Sequence, residues 1–316
     1  MGAVRALALI VSFLLLPLAV AEATPRPLTG KRAVVKRVSG KIKLKLAGAH
    51  KSVALKGTRA IPMGSTIDAS AGKVKVVTTK GGGKLQDGTF SKGAFKITQT
   101  KGSSPLTDLT LTGGDFSACP ATAAGRLVHA SRKRAVRRLF GHAHGRFRSR
   151  GRHSSASVRG TKWDTIDTCA GTQTIDREGR VIAKSDGLTY PLDPGETVQI
   201  LCDPDGQAPV SSLYCLAVLS EPAKNIFAFG IATESPDQAS YDLCITDPHA
   251  TTRHCDTYSF SEPDADGFRS AGVACVPGAG PGDYAVQWRI GGVDLAVPLP
   301  FTSTLPRDPS PFCTTG

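Results

Sequence analysis

Lysine alternates with Ile42, Leu44 and Leu46 across residues 41–46, a period of two that puts apolar side chains on one face of a strand and ammonium groups on the other. The pattern returns at residues 73–77, where Val74 and Val76 share one face and Lys73 and Lys75 the other. Phe90, Phe95 and Ile97 continue the apolar series around Gly88 and Gly93. Short alternating segments between glycine-rich breaks define a β-rich chain, here from residue 33 onward. Its lysines line the solvent faces of a sheet, where they guard against edge aggregation and also form a possible binding surface.

Beyond Cys202 the composition shifts towards Pro, Asp and Ser, but strand-like segments persist. Apolar runs at residues 213–219, 226–231, 241–245, 284–290 and 293–301 are parted by turn formers. A spacing of about ten residues fits a β-sandwich of immunoglobulin-like type. A chain of 316 residues is long for one ordinary core. Two domains are therefore expected in an all-β fold, the second an acidic, disulfide-rich sandwich over residues 205–316.

The first residues carry Arg5, an apolar run over 6–20 and small residues at Ala21 and Ala23. This is the pattern of a secretory signal peptide over residues 1–23, cleaved after Ala23. The run is interrupted by Pro17 and is shorter than the roughly 20 residues of a spanning helix, and no later segment is apolar enough to span. A secreted or cell-surface location is expected, with no transmembrane helix after cleavage. Export also explains eight cysteines, since thiols pair outside the cytoplasm. None forms a C-x-x-C pair, so crosslinks are expected rather than metal ligation. Six of the cysteines follow residue 201; they permit 15 pairings, of which Cys244 with Cys255 is the best local candidate because it closes a short excursion through Asp247 and Pro248.

Charge divides the chain sharply. Residues 24–162 hold 30 Lys and Arg against 4 Asp and Glu, whereas residues 163–316 hold 8 against 21. A strong local excess of one sign concentrates polymers of the other sign. Outside the cytoplasm these include phosphate-bearing wall polymers, anionic lipids and acidic polysaccharides. The alternative is neutralisation of the basic half by the acidic half, within one molecule or between neighbours.

Residues 121–152 contain ten arginines and lysines and no carboxylate. Residues 123–140 read as a basic helix with a thin apolar stripe, and the text from Gly141 to His153 as a loop leading into a strand. Such a run is ordinarily a solvated excursion. Its functional alternative is phosphate contact, for which guanidinium groups are well shaped. Arg146, Arg148, Arg150 and Arg152 are the first polyanion-binding candidates, joined by Arg137 and Arg138. Few aromatic residues and no recognised nucleic-acid motif argue against specific nucleic-acid binding.

Catalytic signals are lacking. G-x-S-x-G does not occur. His142 and His144 can share one face of a strand, with His153 nearby in sequence, but the surrounding arginines would repel a cation. Asp264, Asp266 and Gly267 echo the start of a calcium loop without its remaining ligands, and read as a turn. Asp164 and Asp167 are a possible acid–base pair, but nothing separates them from ordinary exposed strand and turn positions. No enzyme activity, metal or cofactor is expected.

Read in order, residues 38–46, the I-P-M-G-S-T-I-D segment at 61–68, V-R-G-T-K-W at 158–163, G-T-Q-T-I-D-R-E-G-R-V-I at 171–182 and L-D-P-G-E-T-V at 192–198 resemble the FecR-like domain, a β-rich module of bacterial exported and membrane-associated proteins. The F-R-S-R-G-R segment ahead of V-R-G-T, with a cysteine on each side, is similar to a form found in exported actinobacterial proteins. The resemblance implies a FecR-like basic β domain over residues 33–201 with an Arg-rich insert at about 121–152, and a bond between Cys119 and Cys169. Well-known relatives keep a cytoplasmic segment that controls a sigma factor and sense ligand-loaded transporters from outside. The short stretch before the apolar run does not match that plan. The expected function is that of an exported, non-catalytic binding or envelope-associated protein whose basic domain contacts anionic envelope polymers. The alternative is an extracytoplasmic FecR-like sensory component that binds a protein partner. Oligomeric state is not specified by the sequence.

Overall fold

A computed structural model describes residues 25–117, 119, 134–203, 214–221, 226–249, 253–296, 298–307 and 313–315. Residues 1–24, which include the expected signal peptide, and residues 120–133, the first part of the Arg-rich stretch, lie outside the described residues. The described residues form 22 strands and no helix. The all-β expectation therefore holds.

The first strands are β1 (Arg32–Lys45), β2 (Val53–Ala54), β3 (Thr58–Pro62), β4 (Thr66–Gly81), β5 (Lys84–Ser91), β6 (Ala94–Gln99), β7 (Thr107–Thr112) and β8 (Ala135–Arg150). Strand β4 pairs with β5 and with β6, β5 pairs with β8, β8 runs parallel to β7, and β7 returns to β6. Five strands thus close into a barrel without a free edge inside the ring. Val74, Val76, Phe90, Phe95 and Ile97 are fully buried in its core, as the alternation requires.

The remaining strands are β9 (Ser155–Thr168), β10 (Gly171–Glu178), β11 (Val181–Ser185), β12 (Leu188–Leu192), β13 (Thr197–Asp203), β14 (Tyr214–Glu221), β15 (Ile226–Thr233), β16 (Ser240–Thr246), β17 (His254–Ser259), β18 (Arg269–Cys275), β19 (Gly282–Ile290), β20 (Val293–Asp294), β21 (Leu299–Ser303) and β22 (Cys313–Thr315). The barrel sheet continues through β9, β10, β13, β14, β15, β18 and β22. A second sheet of five strands contains β16, β17, β19, β20 and β21. Their facing sides form a sandwich core that includes Leu216, Phe229, Leu243, Val286 and Trp288.

Strand β14 joins the two cores. Cys215, Ala217 and Leu219 point into the barrel-side core. Tyr214, Leu216 and Val218 point into the sandwich core. An uninterrupted apolar run is the sequence form of a strand covered on both faces. The hydrogen-bonded ladder crosses from β13 to β14 around residues 203–214, where Cys202 is bonded to Cys215.

Among the described residues the Arg-rich stretch is strand rather than the helix expected up to residue 140 or the loop expected from Gly141. Residues 135–150 form one long strand, β8, paired along most of its length with β9. Its inward residues are Leu139, Gly141, Ala143, Gly145, Phe147 and Ser149, all buried. Small residues are required there because a Cβ on Gly141 would lie 2.6 Å from the Trp163 ring. Ser149 in turn accepts the Trp163 indole N–H at 2.8 Å. At Gly145 and Arg146 a bulge lets β8 change partner from β5 to β7. Gln86 fills the bulge: its Oε1 accepts the Arg146 N–H at 2.8 Å, and its Nε2 donates to Thr78 and Thr107 at 3.2 and 3.1 Å.

Four disulfides are present: Cys119–Cys169, Cys202–Cys215, Cys244–Cys255 and Cys275–Cys313. Both pairs named from the sequence are among them. Such crosslinks persist in an oxidising, extracytoplasmic compartment. No helix among the described residues is long and apolar enough to cross a membrane.

Candidate polyanion-binding surface

The arginines named from the sequence lie along β8 and just beyond it, and most engage groups within the chain. Arg148 forms a two-pronged pair with Asp108 at 2.5 and 2.9 Å, and Arg150 Nε reaches the same carboxylate at 3.0 Å. Arg137 Nε donates to Asp167 at 2.6 Å. The Arg152 guanidinium, like that of Arg137, lies over the Phe116 ring, at 5.2 and 5.1 Å. Arg146 donates to the Ser104 carbonyl at 2.9 Å and to its hydroxyl. The Nε of Arg138 is buried without a hydrogen-bond partner. The long strand curls, so that Arg137 and Arg152 meet at Phe116 and Asp167, whereas Arg148 and Arg150 gather on Asp108 and Arg146 on Ser104.

Asp164 and Asp167 are buried, correcting the exposed placement read from the sequence. Their strand, β9, is covered on both sides from Trp163 to Thr168. Asp164 accepts two hydrogen bonds from Arg177, at 3.0 and 2.9 Å. Asp167 accepts from Arg137, from the Arg152 N–H at 2.9 Å and from the Thr172 hydroxyl at 2.5 Å. These carboxylates are internal anchors for arginines.

His142 and His144 do share a face, with ring centroids 5.0 Å apart. Partial burial, then the neighbouring His144 and Lys162, hold the His142 imidazole below its usual range. His153 lies apart, its Nδ1 accepting the Cys202 N–H at 3.3 Å. No group of three or more metal-ligating side chains comes together among the described residues. Asp264 closes a turn, its Oδ1 accepting the N–H groups of Asp266 and Phe268 at 3.0 and 2.9 Å.

A concave cationic site forms elsewhere, on β1. The outer edge of this strand pairs with β3 over Arg32–Lys36 and with β2 over Lys43–Leu44. Between those pairings β1 bulges, with register breaks at Arg37/Ser39 and Lys41/Lys43. Gly40 sits in the left-handed region, φ 66°, and a Cβ there would lie 2.3 Å from the Ala71 carbonyl. The linker after β2 bridges the gap: Leu55 N–H donates to Ile42 O at 2.9 Å, and Arg37 N–H to Gly57 O at 3.1 Å. The resulting groove encloses about 490 Å³. Arg37, Lys41, Lys43 and Lys56 line it over a floor that includes Ile42 and Leu55, and no carboxylate lines it among the described residues.

The alternation at residues 41–46 revealed the lysine face but not its concavity. The signal available was Ser39-Gly40 inside a strand-like run, a mark of a bulge. Arg37 and Lys56 were not singled out for the same reason. No protein-family model, curated protein or solved structure matches this chain.

Proposed function

We propose that this protein is a non-catalytic binding protein acting outside the cytoplasm, and that its basic region holds anionic envelope polymers. The observation that carries this reading is the groove on β1, where four cations meet a partly apolar floor without a lining carboxylate. Arg137, Arg146, Arg148 and Arg150 of β8 are engaged by groups within the chain, whereas no ion pair engages Arg37, Lys41, Lys43 or Lys56 among the described residues. A linear polymer bearing phosphate or carboxylate groups supplies the missing charge, with Arg146 and Arg152 as peripheral contacts. The ordered motifs across β1 to β13 support a FecR-like module, and the packing of two sheets supports an immunoglobulin-like sandwich after it.

The test is retention of the full mature chain on immobilised polyphosphate and on an acidic polysaccharide across a salt series. Replacing Lys41, Lys43 and Lys56 by Gln is expected to weaken retention and to flatten the log–log salt slope by about 2, at roughly 0.7 per lost contact. Equal loss from Arg148→Gln with Arg150→Gln alone would move the site to β8. No retention by the parent chain at low salt would sink the reading.

A further inference from the structure

A second concavity opens at one side of the sandwich, between the margin of the barrel-derived sheet and edge strand β17 of the other sheet. It encloses about 680 Å³, within the ordinary range for small-molecule sites. Its aromatic lining is the half-buried Tyr258 in front of the buried, mutually packed rings of Phe229, Tyr284 and Phe301. The position follows from topology: among the described residues β17 pairs only with β16, and β22 lies at the margin of the facing sheet beside β18. Among the described residues no further strand fills the space between these two margins.

The carboxylates Asp247 and Asp256 line this cleft together with His254. Asp256 stands opposite Leu243 and His254 opposite Ile245, so both lie on the core-side face of β17, at its open margin, where their side chains stay 52% and 84% exposed. Asp247 adds a second carboxylate, and neither lysine nor arginine lines the space among the described residues. Inward-pointing charge on an edge strand discourages pairing with another chain. Here it also places negative potential against aromatic faces. Burial and then the charge of Asp247 hold the Tyr284 hydroxyl above its usual range, and burial and then Asp256 do the same for Tyr258.

We infer that this cleft binds a small organic cation with an apolar body, the ammonium group facing Asp247 and Asp256 and the body lying against Tyr258, Tyr284 and Phe301. Aromatic faces and carboxylates both attract a cation, whereas an anion of equal size meets repulsion from the same groups. His254, 3.5 Å from Asp256 through Nε2, competes with the ligand for that carboxylate when protonated. The site is separate from the groove on β1, and its occupant has the opposite charge.

Three probes of similar size but different charge test the inference on the full mature chain with its disulfides intact: benzyltrimethylammonium, benzyl alcohol and phenylacetate. Binding is followed by ligand-detected NMR titration. The cation is expected to bind roughly fivefold to tenfold more tightly than the neutral probe, and phenylacetate more weakly than either. Asp256→Asn and Asp247→Asn should each remove much of that preference. Tyr258→Leu, which keeps apolar area but removes a π-face, should weaken the cation more than the alcohol. Unchanged thermal unfolding in these variants separates lost binding from lost folding. Equal binding of all three probes, no saturable binding of the cation, or a preference untouched by both carboxylate substitutions would overturn the inference.

Discussion

Strand β14 presents Leu219 to one core and Val218 to the other, so the two cores should unfold together. The chain holds only two tryptophans, Trp163 in the barrel-side core and Trp288 in the sandwich core. Replacing either by Phe leaves one reporter for one core. In these backgrounds Leu219→Ala removes a side chain only 7% exposed, which costs about 3 kcal/mol including the cavity left behind. With a urea slope near 3 kcal/mol/M, the midpoint should fall by about 1 M. The decisive expectation concerns the remote probe: Trp288 fluorescence should report the same shift as Trp163, although Leu219 faces away from the Trp288 core. Val218→Ala, costing about 2 kcal/mol, should move both probes from the other side. The measurement is equilibrium urea unfolding with disulfides oxidised. An earlier Trp163 transition, with Trp288 unmoved by Leu219→Ala, would refute the coupling and restore independent domains.

Asp167→Asn should destabilise the fold by about 3 kcal/mol, because it breaks a buried ion pair and disturbs the Arg152 and Thr172 contacts; chemical denaturation checks this. Asp176 is buried, and burial raises its pKa above the ordinary 3.8, with the charge of Asp193 adding a smaller push. Its folded form therefore binds a proton more tightly than the unfolded chain, so its contribution is fully present below about pH 3.8 and is lost as pH rises through the folded pKa. Asp176→Asn should accordingly be more favourable relative to the parent at pH 7 than at pH 3.5, and paired urea titrations would refute this if the difference ran the other way. Removing both Cys244 and Cys255, which are 11 residues apart, should cost about 3 kcal/mol by loop-closure entropy, measured by thermal or urea unfolding.

The strands most legible in the sequence are those whose inward residues are large and apolar. Ile42 with Leu44, and Val74 with Val76, declare both period and face, and all four are buried. Strand β8 was misread because its inward positions are largely Gly, Ala and Ser, which carry little hydropathy signal. Their smallness answers to residues distant in sequence: Trp163 fills the space over Gly141, and a Cβ on Gly88 would meet Phe90 and Ala143 at 2.6 and 2.8 Å. The burial of Asp164 and Asp167 was hidden for a related reason, since their arginine partners lie on neighbouring strands at sequence distances of 13 and 30. Cys244 and Cys255 could be paired by proximity, whereas Cys275 and Cys313 are joined only through the pairing of β18 with β22. The cationic groove depends on where a bulge falls relative to two short neighbouring strands, a relation that alternation does not encode.

The two kinds of cation serve different ends. Arginine has a planar fork that matches a carboxylate, and the chain uses it beside Asp108, Asp164 and Asp167, where strands must be held across the sheet. Lysine is a hydrated point charge on a flexible stem, and the lysines of β1 stand outside that network. Lys36 even lies opposite Lys75 in the ladder, an arrangement that like charges disfavour, with Asp87 pairing only the latter. Two ion pairs, Arg137–Asp167 and Lys162–Glu178, cross from the basic half to the acidic half, but among the described residues none involves a cation of β1. Like charges retained in the ladder at Lys36 and Lys75, beside the cationic groove lined by Arg37, Lys41, Lys43 and Lys56, fit the proposed external counter-charge. On the proposed reading, because point charges dominate that surface, binding should depend on the charge spacing of the polymer and on salt more than on the identity of its repeating unit.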